Sequence, residues 1–174
     1  MDLAALRLTQ RDGVSCGPAA AVVAGAILDS GYGAHLLGGD GRRWFDGQQV
    51  VVHAAANRVW PRALGTTPWG MAAVIGGHAV GLGVRYGWRL PRPGDPLADV
   101  VRAVAAGWPV AMLIGNVIPR HWVLIVGIDG PMLRCYQPAS GEVIAVPAGA
   151  IQRTGLAVLG FPRAFAFVLP RYRV

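Results

Sequence analysis

Residues 10–18 read Gln10-Arg11-Asp12-Gly13-Val14-Ser15-Cys16-Gly17-Pro18, and a run of small and aliphatic residues, 19–28, follows at once. The stretch predicts a loop that delivers a cysteine to the first turn of a helix over 16–30. Pro18 suits a first turn, where a missing N–H costs nothing. Ser15 is the expected N-cap, and Gly31 the expected left-handed stop. A thiol at a helix N-terminus lies beside free N–H groups and the positive end of the macrodipole. That setting is expected to lower its pKa and favour the thiolate.

A lone Cys at the start of an apolar helix is more often a small buried hydrophobe, so Cys16 needs support from elsewhere. Two features supply it. Gln10 lies six residues upstream, and a single His-Trp-Val run begins far downstream at His121. A nucleophilic Cys needs a base that is near in space, not in sequence.

Gln10, five residues, Cys16-Gly17 and a following helix, with a His-led strand in the last third of the chain, resemble the papain-like cysteine peptidases. The pattern is most similar to the double-glycine leader peptidases, the peptidase domains of bacteriocin-exporting transporters, and their free-standing relatives. The resemblance covers most of the chain. It implies a papain-like α+β fold over residues 1–174 as one cysteine peptidase domain. It further implies Cys16 as nucleophile, His121 as base and the Gln10 side chain as part of the oxyanion hole. The family usually carries Asp or Asn sixteen residues after the His and just before a Pro. Here that position is Gln137, followed by Pro138. A Gln carbonyl can accept a hydrogen bond from the His Nδ1–H and fix its tautomer, but it brings no charge. Asn116, in the loop before His121, is a second candidate orienter.

Composition narrows the alternatives. Of the 174 residues 53% are hydrophobic and 14% charged, which describes a globular domain with a sizeable core and excludes disorder. Every apolar run is interrupted before it reaches the length of a membrane span, so no membrane insertion by this domain is expected. Residues 1–9 lack the pattern of a secretory signal. The net charge is +7 and all 16 basic residues are Arg, but they are scattered, with no basic stripe interleaved with aromatics. Nucleic acid is therefore not an expected partner. Two cysteines make no disulfide framework, and a working thiolate must stay free, so a reducing, cytoplasmic compartment is expected. Two Cys and four dispersed His offer no metal-ligand spacing, and no cofactor is implied.

Along the chain, residues 1–9 read as a lead-in strand or extended arm. Residues 31–47 are Gly-rich and read as a loop. Helices are predicted over 48–59, with His53 structural, and from the Thr67-Pro68 start through His78, which has no acid nearby in sequence. A short strand over 86–90, a turn over 91–96 and a helix from 95 to about 106 follow. Apolar runs over 108–114, 121–128, 132–137, 142–146 and 164–169 then read as strands, with a helical turn over 147–153. Helices first and an antiparallel sheet afterwards is an α+β layout. If residues 129–131 form the hairpin turn, residue 123 faces 137. Gln137 is then a diagonal neighbour of His121, roughly 7–8 Å away at the backbone and within reach of a long side chain. Cys135 lies in the same strand and is expected to be structural.

The chemistry expected from these residues is acyl transfer, and the resemblance implies a peptide or protein substrate with small residues such as Gly-Gly before the cut. Alternative readings are an amidase, deamidase or acyltransferase on the same site, as in an effector or toxin, and a degenerate domain that binds peptide without cutting it. A larger parent protein and a bound inhibitor are both compatible with the sequence.

Overall fold

A computed structural model of the chain describes residues 2–92 and 94–171. Met1 of the expected arm, Pro93 of the expected turn and the 172–174 tail lie outside them. The element order is α1 (Leu3–Leu6), α2 (Cys16–Leu28), α3 (Ser30–Leu37), α4 (Gly41–Ala56), α5 (Pro68–Ala79), β1 (Arg85–Arg89), α6 (Ala98–Ala105), β2 (Val110–Gly115), β3 (Pro119–Asp129), β4 (Met132–Gln137), β5 (Glu142–Pro147), α7 (Ala148–Gln152) and β6 (Arg163–Arg171). Among the described residues the strands form one antiparallel sheet in the order β1-β6-β2-β3-β4-β5. The expected α+β class is the observed one.

The centre of the molecule is α2, whose residues from Cys16 to Ala26 are all buried. Ala, Val and Gly give it no bulk, so α3, α4, α5 and one sheet face close around it. Phe45, Val52, Met71 and Ile75 fill that layer against Leu113, Trp122, Leu124 and Tyr136 of the sheet. The opposite face is also covered. Val100, Ala103 and Val104 of α6 pack there on Met112, Ile114, Val123, Ile125 and Cys135. Burial on both faces explains why the central strands read as continuous apolar runs and not as alternating ones.

Four expectations are corrected. The 1–9 arm contains a helical turn, α1, which Asp2 caps through Ala4 N and Ala5 N. Ser15 does not cap α2; its hydroxyl bonds the Asp12 backbone on both sides, accepting from N at 2.8 Å and donating to O at 3.1 Å. Gly31 does not stop the first helix. The chain turns at Asp29 in an extended conformation, and the Asp29 carboxylate caps α3 through Tyr32 N. The 31–47 loop is in fact most of α3 and the start of α4. Its glycines serve close packing: a Cβ on Gly33 would lie 2.5 Å from Ala26 O, and one on Gly41 2.2 Å from Leu36 O. Elsewhere Thr67 caps α5 through Gly70 N, in line with the Thr-Pro reading.

The β3–β4 hairpin turns over two residues, Gly130 and Pro131, since Asp129 pairs with Met132. That differs from the expected three-residue turn. A bulge between Ile125 and Gly127 then shifts the register by one, and Leu124 pairs with Tyr136. The N-terminal segment is strapped across the far end of this hairpin. Tyr136 Oη donates to Leu8 O at 2.7 Å, Gln10 N to Pro138 O at 2.7 Å, and Arg7 pairs with Glu142 at 3.0 Å.

Tyr136 is fully buried, so its bond to Leu8 O is the buried part of that strap. Tyr136→Phe leaves the Leu8 carbonyl without its partner, which costs about 1–3 kcal/mol. Urea unfolding of the two proteins checks this; equal midpoints and slopes would show that the strap adds nothing.

Candidate active site

Cys16 is the first residue of α2, 5% exposed, with its sulfur beside the backbone N–H of Trp122. It therefore sits against the peptide link that joins His121 to Trp122. Gly17 makes this approach possible, because a Cβ there would meet Thr66 Oγ1 at 2.6 Å and Trp122 Cδ1 at 3.1 Å. The Trp122 indole donates to Thr66 O at 2.8 Å, fixing the segment before α5 over the start of α2. Cys16 opens onto a cleft of about 180 Å³ whose walls include Trp60, Leu64, Trp69, Leu113, Arg120 and Trp122.

His121 is 8% exposed and lies on β3 with the parity of Val123 and Ile125, the face away from α2. Its Nε2 is hydrogen-bonded to Gln137 Oε1. Gln137 is in turn held by its own amide, which donates to Leu159 O at 2.6 Å, and by Ala139 N, which donates to Oε1 at 3.2 Å. Phe161 flanks the imidazole, with ring centroids 6.2 Å apart. The ring nitrogen engaged by Gln137 is thus Nε2 and not the expected Nδ1, so with Gln137 accepting, the proton is on Nε2 and Nδ1 is the acceptor. No hydrogen bond joins Cys16 to His121 among the described residues, and neither His121 nor Gln10 is among the cleft-lining residues. Asn116 is exposed and makes no hydrogen bond among the described residues, so it is not positioned to orient the ring.

Gln10 is tied to the same corner by backbone, through its bond to Pro138, the residue after Gln137. Its amide Nε2 donates to Asp12 O at 2.6 Å, and its Oε1 is buried without a partner among the described residues. Around it runs a polar loop. Asp12 Oδ1 accepts from Val14 N at 3.0 Å, Asp12 Oδ2 meets Arg62 Nη2 at 2.6 Å, and Arg11 N donates to Gln49 Oε1 at 2.9 Å.

Burial pushes the Cys16 thiol up, against the downward pull of the Trp122 and Gly17 N–H groups. The expected depression at the helix N-terminus is therefore overridden by desolvation. Burial likewise holds the His121 imidazole below its ordinary value, only partly offset by the bond to Gln137. At neutral pH the resting groups are a thiol and a neutral imidazole. Cys135 is fully buried on the α6 face, its thiol pushed up to about 12 by desolvation.

The remaining histidines lie elsewhere. His53 is buried in α4, with Nε2 unpartnered among the described residues and its pKa lowered by burial and by Arg62. His78 packs on Tyr32, ring centroids 4.3 Å apart, and has Asp29 at 3.9 Å, an acid that the local sequence did not reveal. Among the described residues no group of His, Cys, Asp and Glu is arranged to hold a metal.

No family model and no curated protein matches the chain. Among solved structures several do, including two from transporter proteins. One is a double-glycine-motif protease from an AMS/PCAT transporter in complex with the leader peptide; it is 16% identical at a TM-score of 0.50, over 96% of this chain and 91% of that one. The other is the peptidase domain of Streptococcus ComA, a bifunctional ABC transporter of a quorum-sensing pathway; it is 16% identical at a TM-score of 0.52, over 96% and 98%. The chain shares their fold, an α+β papain-like peptidase fold.

Two buried imidazoles held neutral make the fold acid-sensitive in a defined window. Both His53 and His121 have folded pKa values below the unfolded one of about 6.5. The unfolded chain therefore takes up protons first as pH falls, and stability drops below about pH 6.5. The lowered Asp12, Asp95 and Asp99 lose their contributions only below about pH 4. Thermal unfolding at pH 7.5 and 5.5 is expected to give a lower Tm at 5.5, with a smaller drop in His53→Gln. Equal Tm values would rule out the neutral assignment.

Proposed function

We propose that the chain is a cysteine peptidase that cleaves a peptide bond by acyl transfer from Cys16. The observation that carries this reading is the Cys16 sulfur beside the backbone N–H of Trp122, the residue after His121, whose ring Gln137 holds at Nε2 so that Nδ1 is the acceptor. In the reaction His121 Nδ1 takes the Cys16 proton as the sulfur attacks the carbonyl. Charge then develops on the carbonyl oxygen, for which the Cys16 N–H and the second N–H of the Gln10 amide are the proposed donors. His121 returns the proton to the leaving amine, and water hydrolyses the thioester. Gln137 keeps the proton on Nε2 and so keeps Nδ1 basic. Its neutrality suits a buried site, where a carboxylate would itself need a partner.

The cleft supports a peptide substrate with small residues before the cut. About 180 Å³ bounded by three Trp rings leaves little room beside the sulfur. Beyond it the apolar surface continues, with Trp60, Trp69 and Trp88 at centroid spacings of 6.2 and 6.4 Å. The structural neighbour that holds a leader peptide supports the same substrate class.

A second reading, a domain that binds such a peptide without cutting it, is favoured by the buried thiol and its missing bond to His121. Catalytic hydrogen bonds often tighten only in the substrate complex, which keeps the peptidase reading ahead.

Incubation with a peptide library centred on Gly-Gly, read by mass spectrometry, separates the two. Cleavage is expected after Gly-Gly and lost in Cys16→Ser. Gln137→Ala is expected to lower turnover by about 10- to 100-fold, less than the 10²–10⁴ that general acid–base catalysis as a whole supplies, because His121 itself remains, while Gln137→Asn retains more. Binding with no cleavage in the wild type would establish the second reading.

A further inference from the structure

Asp12 is bonded from both sides, and its connections run in two directions. Its carbonyl accepts the Gln10 amide at 2.6 Å and the Ser15 hydroxyl at 3.1 Å, so it fixes the loop that ends at Cys16. Its carboxylate meets Arg62 at 2.6 Å. Arg62 belongs to the 57–67 segment, which supplies Trp60, Leu64 and Thr66 to the cleft wall. Among the described residues its other side-chain bonds are Asn57 to Gly65 O at 2.6 Å, inside the segment, Trp122 to Thr66 O at 2.8 Å, and Gly70 N to Thr67 Oγ1 at the start of α5. One ion pair therefore joins the cleft wall to the loop that carries both the nucleophile and Gln10.

We infer that the Asp12–Arg62 pair is a clasp that aims the Gln10 amide at the oxyanion of the reaction, making both positioning residues. The inference rests on the peptidase reading above. The side chains of Arg62 and Asp12 are 60% and 36% exposed. An ion pair so exposed contributes little to stability, so its loss leaves the fold intact. Its geometric consequence is larger. Without Arg62 the Asp12 carboxylate is free to turn to solvent. Asp12 then keeps only its bonds within the loop, to Ser15 and Val14, and the carbonyl that restrains the Gln10 amide loses its tie to the cleft wall. Arg62 is the cleaner residue to vary, because Asp12 also holds Val14 N.

The test separates an addition that places a carbonyl-derived oxygen in the oxyanion position from a displacement that does not. Acetyl-glycyl-glycinal adds reversibly to a thiol: the sulfur bonds the aldehyde carbon, the thiol proton passes to the oxygen, and nothing leaves. Its oxygen occupies the oxyanion position. Iodoacetamide alkylates the same sulfur by displacement of iodide and needs no such donors. The intact chain is titrated with the aldehyde, and protection of Cys16 from iodoacetamide is read by mass spectrometry.

Arg62→Ala is expected to raise the half-protecting aldehyde concentration at least about tenfold, below the 10²–10³ that loss of one oxyanion donor costs. Its unprotected alkylation rate is expected to follow the wild-type pH profile. Arg62→Lys is expected to fall between the two. Gln10→Ala is expected to weaken protection at least as much, and Gln10→Ala/Arg62→Ala no more than Gln10→Ala alone, since the two act as one unit. Wild-type protection in Arg62→Ala beside weakened protection in Gln10→Ala overturns the clasp and leaves the peptidase reading standing. Additive losses, or an altered alkylation profile in Arg62→Ala, also overturn it. No protection of the wild type at any aldehyde concentration overturns the peptidase reading and the clasp together.

Discussion

The structure depends on how tightly α2 is enclosed. A helix of Ala, Val and Gly, buried from Cys16 to Ala26, lets three helices and a sheet face approach its axis. Close packing of this kind tolerates little added volume, and Gly17 is its tightest point near the sulfur. The same enclosure brings the Cys16 sulfur against the His121–Trp122 link and leaves the residue buried. Position and reactivity thus come from one cause and pull in opposite directions: burial that fixes the sulfur also resists its ionisation.

That conflict shapes the electrostatics of the corner. Desolvation raises the thiol and lowers the imidazole, so both start neutral. In the proposed reaction charge appears only as the sulfur attacks, in a water-poor setting where a few directed N–H groups act strongly. The partner of His121 is a neutral amide whose own groups are satisfied by Leu159 O and Ala139 N. Among the described residues no uncompensated charge is buried at the sheet end, and the Arg62–Asp12 pair stays near the surface where it costs little.

Much of this was legible in the sequence for physical reasons. Pro18 and the small-residue run fix a helix that starts near Cys16. Apolar runs broken at Asp129-Gly130 and Pro138 fix the strands that bear His121 and Gln137. The parts that were not legible are tertiary. Gly33 and Gly41 look like loop residues in sequence, yet they lie in helices, where the approach of Ala26 O and Leu36 O leaves no room for a Cβ. The bulge after Ile125 compensates a turn one residue shorter than expected, and neither is marked by composition. Ser15 looks like a helix cap but bonds Asp12. Nothing in the spacing of Asp12 and Arg62, fifty residues apart, announces their pairing. The direction of the Cys16 shift was misread because the helix-terminus argument is local, whereas burial is a property of the whole fold.

The central claim is that Cys16 and His121 form one working pair. The most direct measurement is the iodoacetamide alkylation rate of Cys16 in the native protein, wild type against His121→Ala, with Cys135 as internal reference. Cys135 is sealed in the core and reports only general opening. The account predicts that Cys16 reacts faster than Cys135 in the wild type from pH 6 to 8, and that His121→Ala slows Cys16 without changing Cys135. Equal Cys16 rates in the two proteins would contradict it.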